Sequence, residues 1–186
     1  MSITGAAVAH TRQVYVSPVT SAGGPAAGYR VTFRASDASC EAGSEAIGEG
    51  YRCSAGDYLY DPCWPVMAAK PTVLCLAEPW LHTVAELRLS SALPALPREH
   101  GGSIVPWGVQ LANGSRCELA QGAHTAFDGT VLDYGCTSGL ALLRGLNHRR
   151  ATWTARSVVD THDKLAHGPT VEIATAWYGS PLRRTA

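Results

Sequence analysis

An excess of positive charge, long apolar runs and paired metal-ligand motifs are all missing from this chain of 186 residues. Fifteen Lys and Arg balance fifteen Asp and Glu, so the formal net charge at pH 7 is zero. Nucleic-acid binders and electrostatic membrane binders carry a basic excess, and neither class fits. No run reaches the roughly 18 apolar residues of a membrane-spanning helix. No two cysteines are spaced C-x-x-C, and no His stands close enough to complete a zinc finger or ribbon. That removes the common zinc modules and thioredoxin-like chemistry. No Ser occupies a G-x-S-x-G elbow, and "CTSGLALL" around Ser138 is no substitute for one. Neither a phosphate loop nor a dinucleotide fingerprint occurs. His162 and His167 in "THDKLAHG" are five residues apart, which suits neither one helix face nor one strand face. The expectation is of no metal and no cofactor. No repeat at fixed period is present.

Lysine is also scarce: Lys70 and Lys164 stand against thirteen arginines, and only 16% of residues are charged. With abundant Ala, Gly and Pro, this bias suits a G+C-rich genome such as that of an actinobacterium. Six cysteines, at 40, 53, 63, 75, 117 and 136, lie in a chain with 19 Gly and 11 Pro. An even number in a loop-rich chain reads as three disulfides and an oxidising compartment; six reduced, buried cysteines are the cytosolic alternative. Ala7 to Ala9 read "AVA", the form of a signal-peptidase site with cleavage before His10. The basic and apolar regions that precede such a site are not in the chain. The expectation is of a secreted or extracytoplasmic protein whose leader has been trimmed.

Strand-like alternation dominates. "YRVTFRAS" places Val31, Phe33 and Ala35 on one face, and Arg30, Thr32 and Arg34 on the other. "TVEIATAWY", with Val171, Ile173 and Trp177, repeats the pattern. "RATWTARSVV" forms a strand around Trp153, and "RQVYVSPV" a short one ended by Pro18. "TSAGGPAAG" and "SALPALPREHGGSIVP" read as long loops. Two segments read as helical. Pro79 at a first helical position, with Trp80, Val84 and Leu87 following, predicts a helical turn leading into a strand. "GLALLRGLNHRR" predicts a second short helix.

The centre holds two hairpins. In "WGVQLANGSRCELAQ" a two-residue Asn-Gly turn would set Val109 opposite Glu118 and mix apolar with charged residues on one face. A three-residue loop, Asn113-Gly114-Ser115, sets Leu111 opposite Cys117 and Val109 opposite Leu119, which keeps one face apolar. That loop is the expectation. In "HTAFDGTVLDYGC", Asp128-Gly129 is a two-residue turn, with Phe127, Leu132, Tyr134 and Cys136 on one face. A loop at "QGAH", Gln121 to His124, absorbs a four-residue offset and brings Cys117 to Cys136.

Of the remaining cysteines, Cys53 and Cys63 lie within "YRCSAGDYLYDPCWPV", and Cys40 and Cys75 lie on either side of it. Sequential pairing gives Cys40–Cys53 and Cys63–Cys75; nested pairing gives Cys53–Cys63 and Cys40–Cys75. Six cysteines allow fifteen connectivities. Prolines at 62, 65 and 71 favour a stiff out-and-back loop and hence the sequential pairing, each closure contributing about 3 kcal/mol. Trp64, Trp80, Trp107, Tyr58 and Tyr60 are candidate ligand-binding aromatics, because partly exposed rings stack on sugars or peptides. The bland reading is core and edge packing, with Trp64, between Cys63 and Pro65, the exception. Asp57, Asp61, Asp128 and Asp133 would serve glycosidic acid–base work if paired, but Asp57, Asp61 and Asp128 also suit turns. His124 and Asp133 face each other in the second hairpin, as a dyad or, more simply, a solvated pair. Asn113 begins a glycosylation triplet that the hairpin already explains.

The succession "YRCSAGDYLYDPCWP", "VLCLAEPW", "PWGVQLANGSRC", "LDYGC", "ATW" and "AWYG" resembles uncharacterised extracytoplasmic cysteine-rich modules of actinobacteria. The resemblance covers roughly Cys53 to Gly179 and implies secretion and disulfides, with no catalytic residue. The sequence thus predicts one mainly β domain over residues 10–180. It would be a twisted antiparallel sheet or β-sandwich with one or two short helices and three disulfides. The expected role is a non-enzymatic recognition module for a protein, peptide or carbohydrate ligand. The alternatives are a secreted hydrolase of cell-wall sugar or peptide, using acids such as Asp61 and Asp133, and a protease inhibitor presenting a stapled loop.

Overall fold

A computed structural model of the chain describes residues 8–20, 22–41, 43–66, 70–76, 78–95, 104–122, 124–161 and 164–180. The described residues form thirteen β-strands and no helix. The strands are β1 (Arg12–Val16), β2 (Arg30–Glu41), β3 (Tyr51–Ala55), β4 (Tyr58–Val66), β5 (Thr72–Cys75), β6 (Thr83–Leu89) and β7 (Gly108–Leu111). There follow β8 (Arg116–Leu119), β9 (Ala126–Phe127), β10 (Thr130–Cys136), β11 (Leu140–Leu143), β12 (Trp153–Asp160) and β13 (Leu165–Gly179). None of the described elements is a helix long and apolar enough to cross a membrane. The chain divides into two compact units: Tyr15–Trp107 with Tyr178–Ala186, and Met1–Val14 with Gly108–Trp177. Composition marks no boundary between them, because the chain leaves one unit for the other inside β1 and β13 and at the residue before β7.

The unit built on Tyr15–Trp107 is a five-stranded closed barrel, β2-β3-β4-β5-β6. Each consecutive pair is antiparallel, and β2 meets β6 in parallel. Parity requires this. In an up-and-down run of five strands the first and last point the same way, so closure must be parallel. Alternation along β4, β5 and β6 builds two apolar layers. One contains Cys53, Cys63, Cys75, Val73 and Leu87; the other contains Trp64, Leu74, Leu76, Val84, Ile47 and Trp107.

The second unit closes six strands, β7-β8-β10-β11-β12-β13, with β13 returning to β7 and β1 added along β13. Six is even, and the closing pair is antiparallel. β13 is long enough to pair with β12 over Leu165–Ile173 and with β7 over Ile173–Trp177. Val109, Leu111, Cys117, Leu119, Tyr134, Leu142, Ile173 and Trp177 are buried.

The mainly β fold and the three disulfides agree with the sequence reading; the sandwich and the helices do not. Strand alternation is the same in a sandwich and a barrel, and closure rests on the distant pairs β2–β6 and β7–β13. The helical spacing of Val84 and Leu87 is a coincidence of β6, whose two faces are both partly covered. Val84 enters one apolar layer and Leu87 the other. Pro79 and Trp80 form a turn before β6. "LALL" is β11, bounded by Gly139 at φ +80° and Gly145 at φ +92°. Four apolar residues are too few to separate a strand from a buried helix by period.

The first hairpin also differs from expectation. Val109 pairs with Cys117, not Leu119, and the loop is Ala112-Asn113-Gly114. Leu111 N donates to Ser115 O at 2.8 Å, Gly114 N to Leu111 O at 2.9 Å, and Ser115 N to Asn113 Oδ1 at 2.9 Å. A three-residue loop of this kind needs its last residue at positive φ, and Gly114 has φ +87° where Ser115 would be strained. The register moves by two, so Val109, Leu111, Cys117 and Leu119 keep the face predicted for them. The second hairpin is as expected: Thr130 pairs with Phe127, and Asp128 and Gly129 both have positive φ.

All three disulfides join directly opposed residues of neighbouring antiparallel strands: Cys40–Cys53, Cys63–Cys75 and Cys117–Cys136. The sequential pairing is therefore the observed one, and no described cysteine is free.

Candidate functional site

The cysteine- and tyrosine-rich stretch Tyr51 to Val66 is the β3–β4 hairpin. Ala55 pairs with Tyr58, leaving Gly56-Asp57 as a two-residue turn with Gly56 at φ +60°. Asp57 is exposed in that turn, which is the role its sequence context suggested. Just beyond the turn, Tyr58 is 71% exposed. Tyr60 is half-buried and stacks on Phe33 of β2, with ring centroids 6.3 Å apart and planes 20° apart. Phe33 is itself 47% exposed. Burial, and then the neighbouring Tyr58 hydroxyl, raise the Tyr60 pKa above 10.0. Tyr60 lies across from Cys53, whose disulfide to Cys40 ties the hairpin to β2. The result is an aromatic surface whose backbone is cross-linked at its base.

The other aromatic candidates go elsewhere. Trp64 and Trp107 are buried, with ring centroids 6.1 Å apart and planes tilted by 59°. Trp64 Nε1 donates to Ser180 O at 2.9 Å. Trp64 was expected to be the exposed exception and is instead core, because β4 turns it into the apolar layer beside Leu74, its cross-strand partner. Trp107 Nε1 is buried and has no hydrogen-bond partner among the described residues. Trp80 is half-buried, its Nε1 donating to Glu78.

The four acids do not converge. Asp61 is buried at a bulge in β4, where Cys53↔Tyr60 and Tyr51↔Cys63 leave one extra residue on β4. Pro62 sits there, where no ladder N–H is needed. The bulge aims the Asp61 carboxylate at the 43–50 loop. Ser44 Oγ donates to Asp61 Oδ1, and Glu45 N donates to Oδ2 at 3.4 Å. Ser44 Oγ also accepts from Ala46 N at 3.0 Å and Ile47 N at 3.2 Å. Burial raises the Asp61 pKa from 3.8 to about 6, against the lowering effect of Ser44, Glu45 N and Arg52. Nothing in the sequence links residue 44 to residue 61, so this anchor was missed.

Asp133 is buried and accepts from Arg144 Nε at 3.0 and 3.1 Å. His124 Nδ1 lies 3.4 Å from Leu132 O, so the expected solvated His124–Asp133 pair is not formed. Arg144 follows β11, the segment read as helical, and its N donates to Val131 O at 2.8 Å, which brings it beside Asp133. Asp128 stays exposed in its turn, 3.8 Å from His167. His162 and Asp163 lie outside the described residues.

One cavity lies against β4–β6 and another beside Arg150; neither is lined by any of these four acids or by a histidine. Cys53, Cys63 and Cys75 place their sulfurs within 4.8 Å of one another. Each belongs to a disulfide, so they offer no thiolate to a metal unless reduced. No family model matches the chain, and neither a curated protein nor a solved structure is significantly similar to it.

Proposed function

We propose that this chain is an extracytoplasmic, non-enzymatic recognition module that engages a protein, peptide or carbohydrate ligand through Tyr58, Tyr60 and Phe33. The observation that carries this reading is the exposed aromatic surface on a hairpin cross-linked at its base. The stacked Tyr60 and Phe33 rings lose little entropy on binding, and tyrosines are enriched among the residues that carry most of an interface's energy. Three disulfides support an oxidising compartment. The acids support binding over hydrolysis: Asp61 is engaged with Ser44 and Asp133 with Arg144. The turn at Gly56-Asp57 is a tight two-residue connection, unlike the extended convex loop of an inhibitor.

The test uses glycan and peptide arrays, and purified bacterial cell-wall sacculi, as probes. Wild-type protein should bind a subset of these. Tyr58→Ala should weaken that binding by about tenfold or more with an unchanged melting temperature. Binding indifferent to Tyr58→Ala and Tyr60→Ala, or release of soluble sugar or peptide from sacculi that Asp61→Asn abolishes, overturns the reading.

A further inference from the structure

The five-stranded barrel carries a cavity of about 500 Å³ that none of the aromatic or acidic candidates lines. Its size falls within the range of small-molecule sites. The register explains its floor. Val66 pairs with Thr72, Thr72 with Arg88, and Leu74 with Glu86, so these five side chains share one face of β4–β6. Its rim is the glycine segment at 23–25. Thr20 N donates to Gly24 O at 2.8 Å, and Val19 bridges to Pro25, which fix that rim. Gly24 faces open space, with nothing within 4 Å of where a Cβ would stand.

Three ionisable side chains line the cavity: Lys70, Glu86 and Arg88. Glu86 already pairs with Arg34 at 3.3 Å. Lys70 and Arg88 have no ion-pair partner among the described residues. The floor of Val66 and Leu74 is apolar. Two uncompensated cations beside an apolar floor select a ligand of matching polarity: a negative head and an apolar body. Arg88 offers a planar fork suited to a carboxylate or phosphate, and Lys70 a mobile point charge.

We propose that this cavity binds a small anion with an apolar body, its carboxylate or phosphate head held by Arg88 and Lys70 and its body laid over Val66 and Leu74. The site is separate from the Tyr58 surface and does not depend on it.

The test titrates full-length protein with n-octanoate and n-octyl phosphate, using n-octanol and octyltrimethylammonium as neutral and cationic analogues. The readout is the amide NMR shifts of Gly23, Gly24, Thr72 and Arg88. The anions should give saturable shifts at these positions, with affinity falling as ionic strength rises. Octanol should bind about tenfold more weakly, and the ammonium compound weaker still. Lys70→Gln with Arg88→Gln should weaken the anions by about tenfold or more, with the melting temperature unchanged because both side chains are exposed. Glu86→Gln should tighten binding, since it removes the one acid and frees Arg34. Equal affinity for octanol and octanoate, undiminished binding by the double variant, or no saturable shift at millimolar concentration overturns the proposal.

Discussion

Replacing Asp61 with Asn should change the pH dependence of stability more than stability itself. The carboxyl is 7% exposed and its pKa is raised from 3.8 to about 6, chiefly by burial. Below pH 3.8 it is protonated in both folded and unfolded chains and costs nothing. Between 3.8 and 6 the folded chain holds a proton that the unfolded chain releases, so stability falls as pH rises. Above 6 the loss is complete. At about 1.4 kcal/mol per pH unit, the gap between 3.8 and about 6 amounts to about 3 kcal/mol. Asn cannot ionise, and its amide oxygen still accepts from Ser44. It offers Glu45 N a poorer partner, at a cost of about 1 kcal/mol. Asp61→Asn should thus be about 1 kcal/mol less stable than wild type at pH 4 and 1–2 kcal/mol more stable at pH 7, by about the same reckoning. Denaturant melts of both proteins at pH 4, 5, 6 and 7, with disulfides intact, measure this, and other titrating groups cancel in the difference. Parallel stability–pH curves would refute the account of Asp61 as a buried carboxylate ionised at a cost.

Under non-reducing conditions the intact mass should lie six hydrogens below that of the reduced chain, from three disulfides; six alkylatable thiols in protein from an oxidising compartment would contradict this. Replacing Cys63 and Cys75 together by Ala should destabilise by about 2–5 kcal/mol in a denaturant melt, and a neutral outcome would remove the staple from the argument. A methyl group at residue 179 would overlap the Ile47 side chain and press on Trp64. Gly179→Ala should therefore cost about 1–3 kcal/mol, while Gly24→Ala, in open space, should be near neutral by the same melt. Arg144→Met leaves Asp133 buried without its ion pair and should cost about 1–2 kcal/mol, discounted because Arg144 is about half exposed; Asp133→Asn in the same background should recover part of that loss.

The sequence by itself determined the strand character and the Asp128-Gly129 turn, and it favoured the sequential disulfide pairing without excluding the nested one, a choice that the structure decided. These rest on local rules: period-two alternation, the φ requirements of Gly and Asp in tight turns, and short loops that return one cysteine opposite another. It also determined which face of β7 and β8 is apolar, although the register was two residues off, because burial constrains parity more strongly than it constrains the pairing itself. Only the tertiary structure decided the rest. Closure into barrels depends on Arg30 to Ala38 meeting Thr83 to Leu89, and on Gly108 to Leu111 meeting Ile173 to Trp177. Neither pairing leaves a mark that a local pattern can show. The fate of the tryptophans followed from packing with residues distant in sequence, Ile47 and Leu74 among them. Trp64 reads as a loop residue between Cys63 and Pro65, yet β4 packs it into a core layer, whereas Phe33, in a clean alternating strand, remains half exposed beside Tyr60. Asp61 reads as a turn acid, yet a bulge turns it inward to Ser44. The cavity flanked by Lys70 and Arg88 was invisible for the same reason: its lining comes from three strands aligned by register, from Lys70 between β4 and β5, and from the glycine segment at 23–25, not from one stretch of sequence.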